Sequence, residues 1–185
     1  MSDTIVARWQ DWSGSGLEHL CLRKTADRIV AEAAVLGSAE DELFAIRYRI
    51  LCDKFWRVKE VGLERIGFDR SIKLAGDAAG NWMDGSSVPL PQLRGAIDVD
   101  ISATPFTNTL PIRRLSMRLG QSEEILAVYI QVPSLAVSTD RQRYTCLEAG
   151  KRYRYESVDS DFTRDIEVDE HGLVVNYPGL FRRVV

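Results

Sequence analysis

Asp98 and Asp100, two residues apart in "AIDVDIS", are the nearest this chain comes to a catalytic pair. If that stretch is a strand, the two side chains share a face with Cα atoms roughly 6.5–7 Å apart, within the range over which paired carboxylates hydrolyse glycosidic bonds. Acids this close serve equally as partners for Arg113 or Arg114, or as acceptors for turn amides, so a hydrolase reading and a structural reading both stand. Arg47 and Arg49 in "LFAIRYRILC" offer guanidinium forks for carboxylate or phosphate, while Tyr129 and Gln131 in "AVYIQV" suit sugar hydroxyls. The same two arginines read as well as solvent-facing strand residues. Trp9, Trp12, Trp56 and Trp82 are able to stack on sugars, line an acyl cavity or pack a core.

Other chemistries lack their signatures. There is no G-x-S-x-G elbow and no P-loop, and "GSGLEH" stops short of a dinucleotide fingerprint because His19 stands where the last glycine belongs. His19 and His171 are the only imidazoles. Asp169 and His171 in "DEHG" have the types for a metal, but "DAAG" earlier in the chain matches it as a hairpin turn, so neither a metal nor a cofactor is expected. "KRYRY", residues 151 to 155, interleaves Tyr153 and Tyr155 with Lys151, Arg152 and Arg154, as a nucleic-acid platform or an amphipathic edge strand does. With 24 basic against 27 acidic residues and a net charge of −3, no nucleic-acid partner is expected.

The elements that must position these residues are strands. A length of 185 residues with 45% hydrophobic content suits one domain, residues 1–185, with a sizeable core. Cys21, Cys52 and Cys146 are odd in number and unpaired in spacing, which points to reduced, mostly buried thiols. "MSDTIVARWQDW" has no signal-like apolar region and "IVAEAAVLG" is far short of a bilayer span, so a soluble cytoplasmic protein without integral membrane contact is expected.

In "LFAIRYRILC", Phe44, Ile46, Tyr48, Ile50 and Cys52 alternate with polar positions at period two, the mark of a half-buried strand. Similar runs occur in "RIVAEAAVLG", "WRVKEVGLE", "RSIKLAGD", "AIDVDIS", "EILAVYIQVPSLAV", "RYRYESV", "RDIEVD" and "LVVNYPGLF", with "GSAEDE", "GDAAGN" and "VDEHG" as connections. No run of ten residues carries a helical stripe, and at most one or two short helices are expected, at 12–25 or 86–93.

"VLGSAEDELFAIRYRI" aligns with "RLGQSEEILAVYIQV", and "IKLAGDAAGNW" with "DIEVDEHGLVV", pairing Gly37 with Gly120, Asp77 with Asp169 and Gly80 with Gly172. An internal duplication follows, with units at about 27–85 and 110–180 and a junction at 86–109. The pairing sets Arg47 and Arg49 opposite Tyr129 and Gln131. At the junction of the two units lies "TPFTNTLPIRR", whose prolines make Thr104 and Leu110 non-helical and force the backbone out of the sheet. Its threonines and Asn108 then bond freed main-chain groups, or else Thr107, Asn108 and Arg114 stand as polar groups at a pocket mouth.

"DVDISATPFTNTLPIRRL", preceded by "YRILCDKFWRVKEV" and "LAGDAAGNWMDG" and followed by "QRYTC" and "GLVVNYPGLFRRV", resembles the bacterial "putative glycolipid-binding" family, long classed as a domain of unknown function. The resemblance runs over about residues 43 to 183. It implies an all-β fold with a highly curved antiparallel sheet, akin to half-barrels that carry acyl chains, and it brings no catalytic residues. The expected function is non-catalytic binding of a glycolipid or similar amphiphile, with Arg47, Arg49, Trp56, Trp82, Thr107, Asn108, Arg114, Tyr129 and Gln131 as the ligand-binding set. A hydrolase using Asp98 and Asp100, and a protein-interaction module without a pocket, are the alternatives.

Overall fold

The computed structural model describes residues 3–39 and 42–185. The first half of the chain forms β1 (Asp3–Asp11), β2 (Leu17–Lys24), β3 (Arg28–Ala39), β4 (Glu42–Asp53), β5 (Val58–Arg65), β6 (Ser71–Gly76) and β7 (Trp82–Asp84). The second half forms β8 (Asp98–Ile101), β9 (Ser122–Gln131), β10 (Ala136–Glu148), β11 (Arg152–Ser157), β12 (Thr163–Val168), β13 (Val174–Tyr177) and β14 (Phe181–Arg183). All fourteen belong to one sheet, running from β7 down to β1 and then from β14 down to β8. That sheet is curved and does not close into a barrel. Neighbours are antiparallel throughout, except β8 and β9, which run parallel.

The alternation read from the sequence is the alternation of burial. On β4, Ile46, Tyr48, Ile50 and Cys52 are buried while Arg47 and Arg49 are exposed. Strands β1 and β2 carry no clear sequence signal, and β2 occupies the 12–25 region where a helix was expected. The 86–93 region holds only a single 3-10 turn, Pro91–Leu93. Cys52 and Cys146 are buried, Cys21 is partly so, and all three are free thiols. Among the described residues no helix is long and apolar enough to cross a membrane.

"GDAAGN" and "VDEHG" are hairpin connections, whereas Glu40 and Asp41 at the centre of "GSAEDE" lie outside the described residues. In the first two, the aspartate Oδ1 accepts the N–H groups two and four residues on: Ala79 and Asn81 on Asp77 at 2.8 and 3.0 Å, His171 and Leu173 on Asp169 at 2.9 Å. The same arrangement recurs at Asp53 and Asp84, and in all four turns the third residue after the aspartate is left-handed. Glycine supplies that conformation at positions 80 and 172 without strain, while Trp56 and Ser87 adopt it in the other two. This part of the internal match is therefore turn chemistry shared by unmatched turns. The matched strands also differ in spacing, since one strand separates β4 from β6 and two separate β9 from β12. A duplication with these bounds requires a strand gained in the second half.

The segment "TPFTNTLPIRR" corrects a sequence expectation. Phe106–Asn108 is a 3-10 turn that runs directly into helix α1 (Thr109–Leu115), with Leu110 and Pro111 both helical. Proline is tolerated there because it sits in the first turn of α1, where a backbone N–H has no intrahelical acceptor to lose. The polar side chains do bond the local main chain: Thr104 Oγ1 accepts Phe106 N–H at 3.0 Å, and Asn108 Nδ2 donates to the Pro105 carbonyl at 3.2 Å. The helix is a crossover, which the parallel β8–β9 pair requires and a hairpin does not supply.

Strand β8 and the helix fill the inside of the curved sheet and divide it into two cores. Val99 and Ile101 of β8, with Phe106 and Leu110, pack against Leu20, Ile46, Tyr48, Ile50 and Leu63 of the first half. On the other side Ile112 and Met117 join Tyr144, Tyr153, Tyr155, Ile166 and Tyr177 of the second half. The "KRYRY" tyrosines thus belong to a core, and Arg154 pairs outside with Asp165 at 2.7 Å. Asp98 faces Arg114 of the helix and accepts two bonds, from Nε at 3.0 Å and Nη2 at 2.5 Å, with its own side chain 1% exposed.

Removing one partner of such a pair strands the other charge in the core, at roughly 3–5 kcal/mol. Arg114→Ala is expected to lower the unfolding free energy by that amount in denaturant titrations, whereas Arg47→Ala, at an exposed pair with Glu64, is expected to change it by about 1 kcal/mol or less. Equal, small effects at the two sites are the outcome that contradicts the buried-pair assignment.

Candidate functional site

The open end of the curved sheet holds a cleft of about 490 Å³. One wall comes from β1–β4 and the β13–β14 turn beside β1, with Trp9, Trp12, Leu17, Val35, Phe44, Leu180 and Phe181; the opposite wall comes from Ala103 beyond β8 and Val132 beyond β9. Strands β3 and β9 are far apart in the strand order, so only the curl of the sheet brings these walls face to face. Phe44 owes its place to Gly37, its cross-strand partner on β3. A Cβ on Gly37 would stand 2.7 Å from Phe44 Cζ, so the bare backbone there is the seat of the aromatic ring. Trp12, at the rim, is 51% exposed, and its backbone N–H is tied to the Leu180 carbonyl at 2.8 Å.

The polar groups of the cleft are Asp11, Glu18, Ser38, Ser102, Tyr129 and Gln131, together with small groups of the β1–β2 turn. Asp11 is already engaged: Oδ1 accepts Gly14 N–H at 2.7 Å and Ser13 Oγ at 3.0 Å, and Oδ2 accepts Ser15 Oγ at 3.2 Å. Glu18 is different. It is 2% exposed and accepts the Tyr48 hydroxyl on Oε1 at 2.5 Å, while Oε2 is buried without a hydrogen-bond partner. Thr104 Oγ1 lies 3.3 Å from the Tyr48 hydroxyl and completes the cluster. Burial pushes the Glu18 carboxyl up to about 7, against the opposing pull of the Thr104 and Tyr48 bonds. Burial, with the Glu18 charge next, raises the Tyr48 hydroxyl as well.

Of the residues singled out from the sequence, Tyr129 and Gln131 reach this cleft, joined by Trp9 and Trp12. Arg47 and Arg49 do not. They line a shallower groove of about 710 Å³ on the outer face of β2–β6, where Arg47 pairs with Glu64, and Arg49 with Glu32 at 3.5 Å. The four residues therefore do not converge, because β4 presents its arginines on the side opposite its core face. Trp56 and Trp82 are buried at 6% and 3% exposure, and Trp82 Nε1 donates to the Ala96 carbonyl at 2.7 Å. Arg113 and Lys24 approach the Trp56 ring at 5.7 and 6.0 Å.

The helix residues are interior too. Thr107 Oγ1 donates to Asp100 at 3.0 Å, Asn108 Oδ1 accepts the Tyr144 hydroxyl at 2.9 Å, and Arg114 holds Asp98. None of the three lines either cleft. Asp100 also accepts Gln142 Nε2 at 2.7 Å. Burial raises both Asp98 and Asp100, with the Arg114 and the Gln142 and Thr107 bonds pulling back respectively. Neither aspartate lines either of these two clefts. Asp169 serves its turn and an ion pair with Arg183 at 2.6 Å, and among the described residues no cluster of His, Cys, Asp and Glu suits a metal.

Glu18 escaped the sequence reading. Its neighbours on β2, Leu17, His19 and Leu20, show no motif, and only the cross-strand pairing with Trp9 and Val35 turns it inward.

The raised carboxyl carries a stability consequence with a definite sign. A carboxyl with a folded value above its unfolded one binds an extra proton when folded, so its contribution is fullest below about 4.5 and is lost as pH rises through about 7. The loss is on the order of 3 kcal/mol. Thermal melts across this window should show Glu18→Gln near wild type at the acid end and more stable than wild type above about pH 8. Parallel pH profiles for the two proteins are the result that excludes the assignment.

Comparison with known proteins places these features in a family. The sequence model of a family described as "Putative glycolipid-binding" matches residues 6–183. The chain is also similar to a DUF1089 family protein from Pseudomonas aeruginosa of known crystal structure, at 37% identity over 92% of each chain and a TM-score of 0.81. No curated protein matches.

Proposed function

The chain belongs to the "Putative glycolipid-binding" family, and from that premise we propose that it is a non-catalytic carrier or receptor for an amphiphile, held in the cleft at the open end of the curved sheet. The observation that supports this reading is the composition of that cleft. Its walls are largely aromatic and aliphatic, with Asp11, Glu18, Tyr129, Gln131 and three serines as the polar side chains among them. A volume of about 490 Å³ falls within the range of small-molecule sites, roughly 300–1,000 Å³. An apolar tail against Trp9, Val35, Phe44 and Val132 gains about 0.8 kcal/mol per buried methylene, so a ten-carbon chain contributes about 8 kcal/mol before the entropic cost of association.

The outer groove is the competing location, and its chemistry is less suited. Arg47 is tied to Glu64 and Arg49 to Glu32, so a ligand there must displace an ion pair while remaining in contact with water.

Native mass spectrometry of freshly purified protein is expected to show adducts of lipid or glycolipid mass. Calorimetric titration with decyl maltoside below its micelle concentration then locates the site: Phe44→Ala and Trp12→Ala should each weaken binding by about tenfold, and Arg47→Ala with Arg49→Ala should leave it unchanged. Binding lost only in the arginine double variant moves the site to the outer groove. Absence of adducts, together with no heat on titration, removes the amphiphile reading.

A further inference from the structure

Polarity in the cleft is graded from floor to mouth. Of its lining, Trp9, Val35 and Val132 are buried, whereas Ser13, Ser38, Ser102 and Gln131 are all exposed residues. Glu18 is the exception to the gradient, being buried, with its carboxyl engaged by the Tyr48 hydroxyl. Trp12 stands with the exposed group, and among the described residues its ring enters no aromatic pair and no cation–π contact. The backbone that carries it is nonetheless held. Asp11 Oδ1 accepts Gly14 N–H, Gln10 Nε2 donates to the Gly14 carbonyl at 3.0 Å, and Trp12 N–H reaches the Leu180 carbonyl across the neighbouring turn. An indole on an ordered turn offers a large flat surface at little cost in conformational entropy when a ligand covers it. Charge narrows the ligand further. Among the described residues the lining contains Asp11 and Glu18 and no lysine, arginine or histidine, so an anionic head meets no counter-charge there.

We propose that the amphiphile enters tail first and that the mouth of the cleft is the site of an uncharged glycosyl head, with Trp12 as the face on which a sugar ring stacks and Ser38, Ser102 and Gln131 as partners of its hydroxyls. The inference rests on the amphiphile reading and adds the orientation of the ligand, the place of its head and the charge class of that head. Tail-first entry follows from the gradient, since the buried lining rewards methylenes and the exposed lining keeps polar groups in reach of water. A sugar ring presents an apolar C–H face bordered by hydroxyls. It therefore calls for a flat apolar surface together with neutral groups that both donate and accept, which an indole, two serines and a glutamine supply. Trp12 and Ser38 stand on the β1–β4 wall and Ser102 and Gln131 on the wall facing it, so the mouth offers partners from both sides. A phosphate, sulfate or carboxylate in the same place adds negative charge beside Asp11 and gains no guanidinium or ammonium in return.

Titration of the full chain below micelle concentrations, at about pH 8 where decanoate is ionised, tests this with four probes: decyl maltoside, octyl maltoside, tetraethylene glycol monodecyl ether and decanoate. Decyl maltoside is expected to bind about tenfold tighter than octyl maltoside, the effect of two further buried methylenes, and about tenfold tighter than the ether and decanoate, which share its tail and lack its head. Trp12→Ala is expected to remove the advantage of the maltoside over the ether and to change binding of the ether by about twofold or less, while Trp12→Phe retains most of that advantage. Phe44→Ala, at a tail contact, is expected to weaken the maltoside and the ether by the same factor. Equal binding of octyl and decyl maltoside overturns the orientation. The three decyl probes binding alike, or Trp12→Ala weakening maltoside and ether equally, overturns the head site. If Trp12→Ala does not fold, the wild-type series of heads decides. Each of these results leaves the amphiphile reading intact, whereas no binding by any probe overturns that reading and the head site with it.

Discussion

A carboxylate and a guanidinium locked together inside a curled sheet hold the rest of this molecule in place. A sheet of fourteen strands that curves without closing leaves an interior wider than side chains alone fill, and this chain fills it with its own edge strand and one short helix. Both are polar on one side. Asp98 on β8 and Arg114 on α1 cancel one another through two parallel hydrogen bonds, and the next turn of the same network joins Asp100 to Thr107 and Gln142. Buried ion pairs add little net stability compared with an apolar substitute, but they penalise every arrangement in which the partners are apart. Their role here is one of placement, fixing the height of the helix along β8.

That placement decides what the two cores contain. The first core is aliphatic with a few aromatic rings, built from β1–β9 and closed by Phe106 and Leu110. The second is rich in tyrosine, with Tyr144 and Tyr155 edge-to-face at a centroid separation of 5.4 Å and Tyr177 tilted against Tyr155 at 6.4 Å. Tyrosine suits this core because Asp100 and Asn108 bring polar atoms into it, and a phenolic hydroxyl gives such atoms a partner where phenylalanine does not. The division stops short of the open end of the sheet. There, neither the helix nor β8 reaches between β1–β4 and the ends of β8 and β9, and the apolar walls face one another across the cleft.

The strands were legible in the sequence because alternation at period two is a local property, and β4 shows it with Ile46, Tyr48 and Ile50 inside and Arg47 and Arg49 outside. The helix was not legible, since Pro105 and Pro111 look like breakers when the register of the helix is unknown; with α1 starting at Thr109, Pro111 falls where proline does no harm. The turn at Asp77 and Gly80 was legible as a turn, but its likeness to Asp169 and Gly172 does not by itself distinguish ancestry from local chemistry, because the same arrangement also builds the turns at Asp53 and Asp84. The cleft was the least legible feature. Tyr129 and Gln131 stood out for their polarity, but Glu18, Gly37 and Phe44 matter through cross-strand and cross-sheet neighbours that no spacing along the chain reveals.

The distribution of charge then separates the two depressions of the surface by what each tolerates. On the outer face, acids and bases are interleaved across β3, β4 and β5, as at Glu32, Arg47, Arg49 and Glu64, and water screens them. At the cleft Glu18 is buried among apolar side chains, bonded to the Tyr48 hydroxyl and, among the described residues, in no ion pair. An isolated polar group in apolar surroundings is unfavourable for folding, because its desolvation penalty is incurred in full. A buried acid of this kind costs the fold stability wherever it is ionised, so the polarity kept beside the cleft is kept against packing and not because of it.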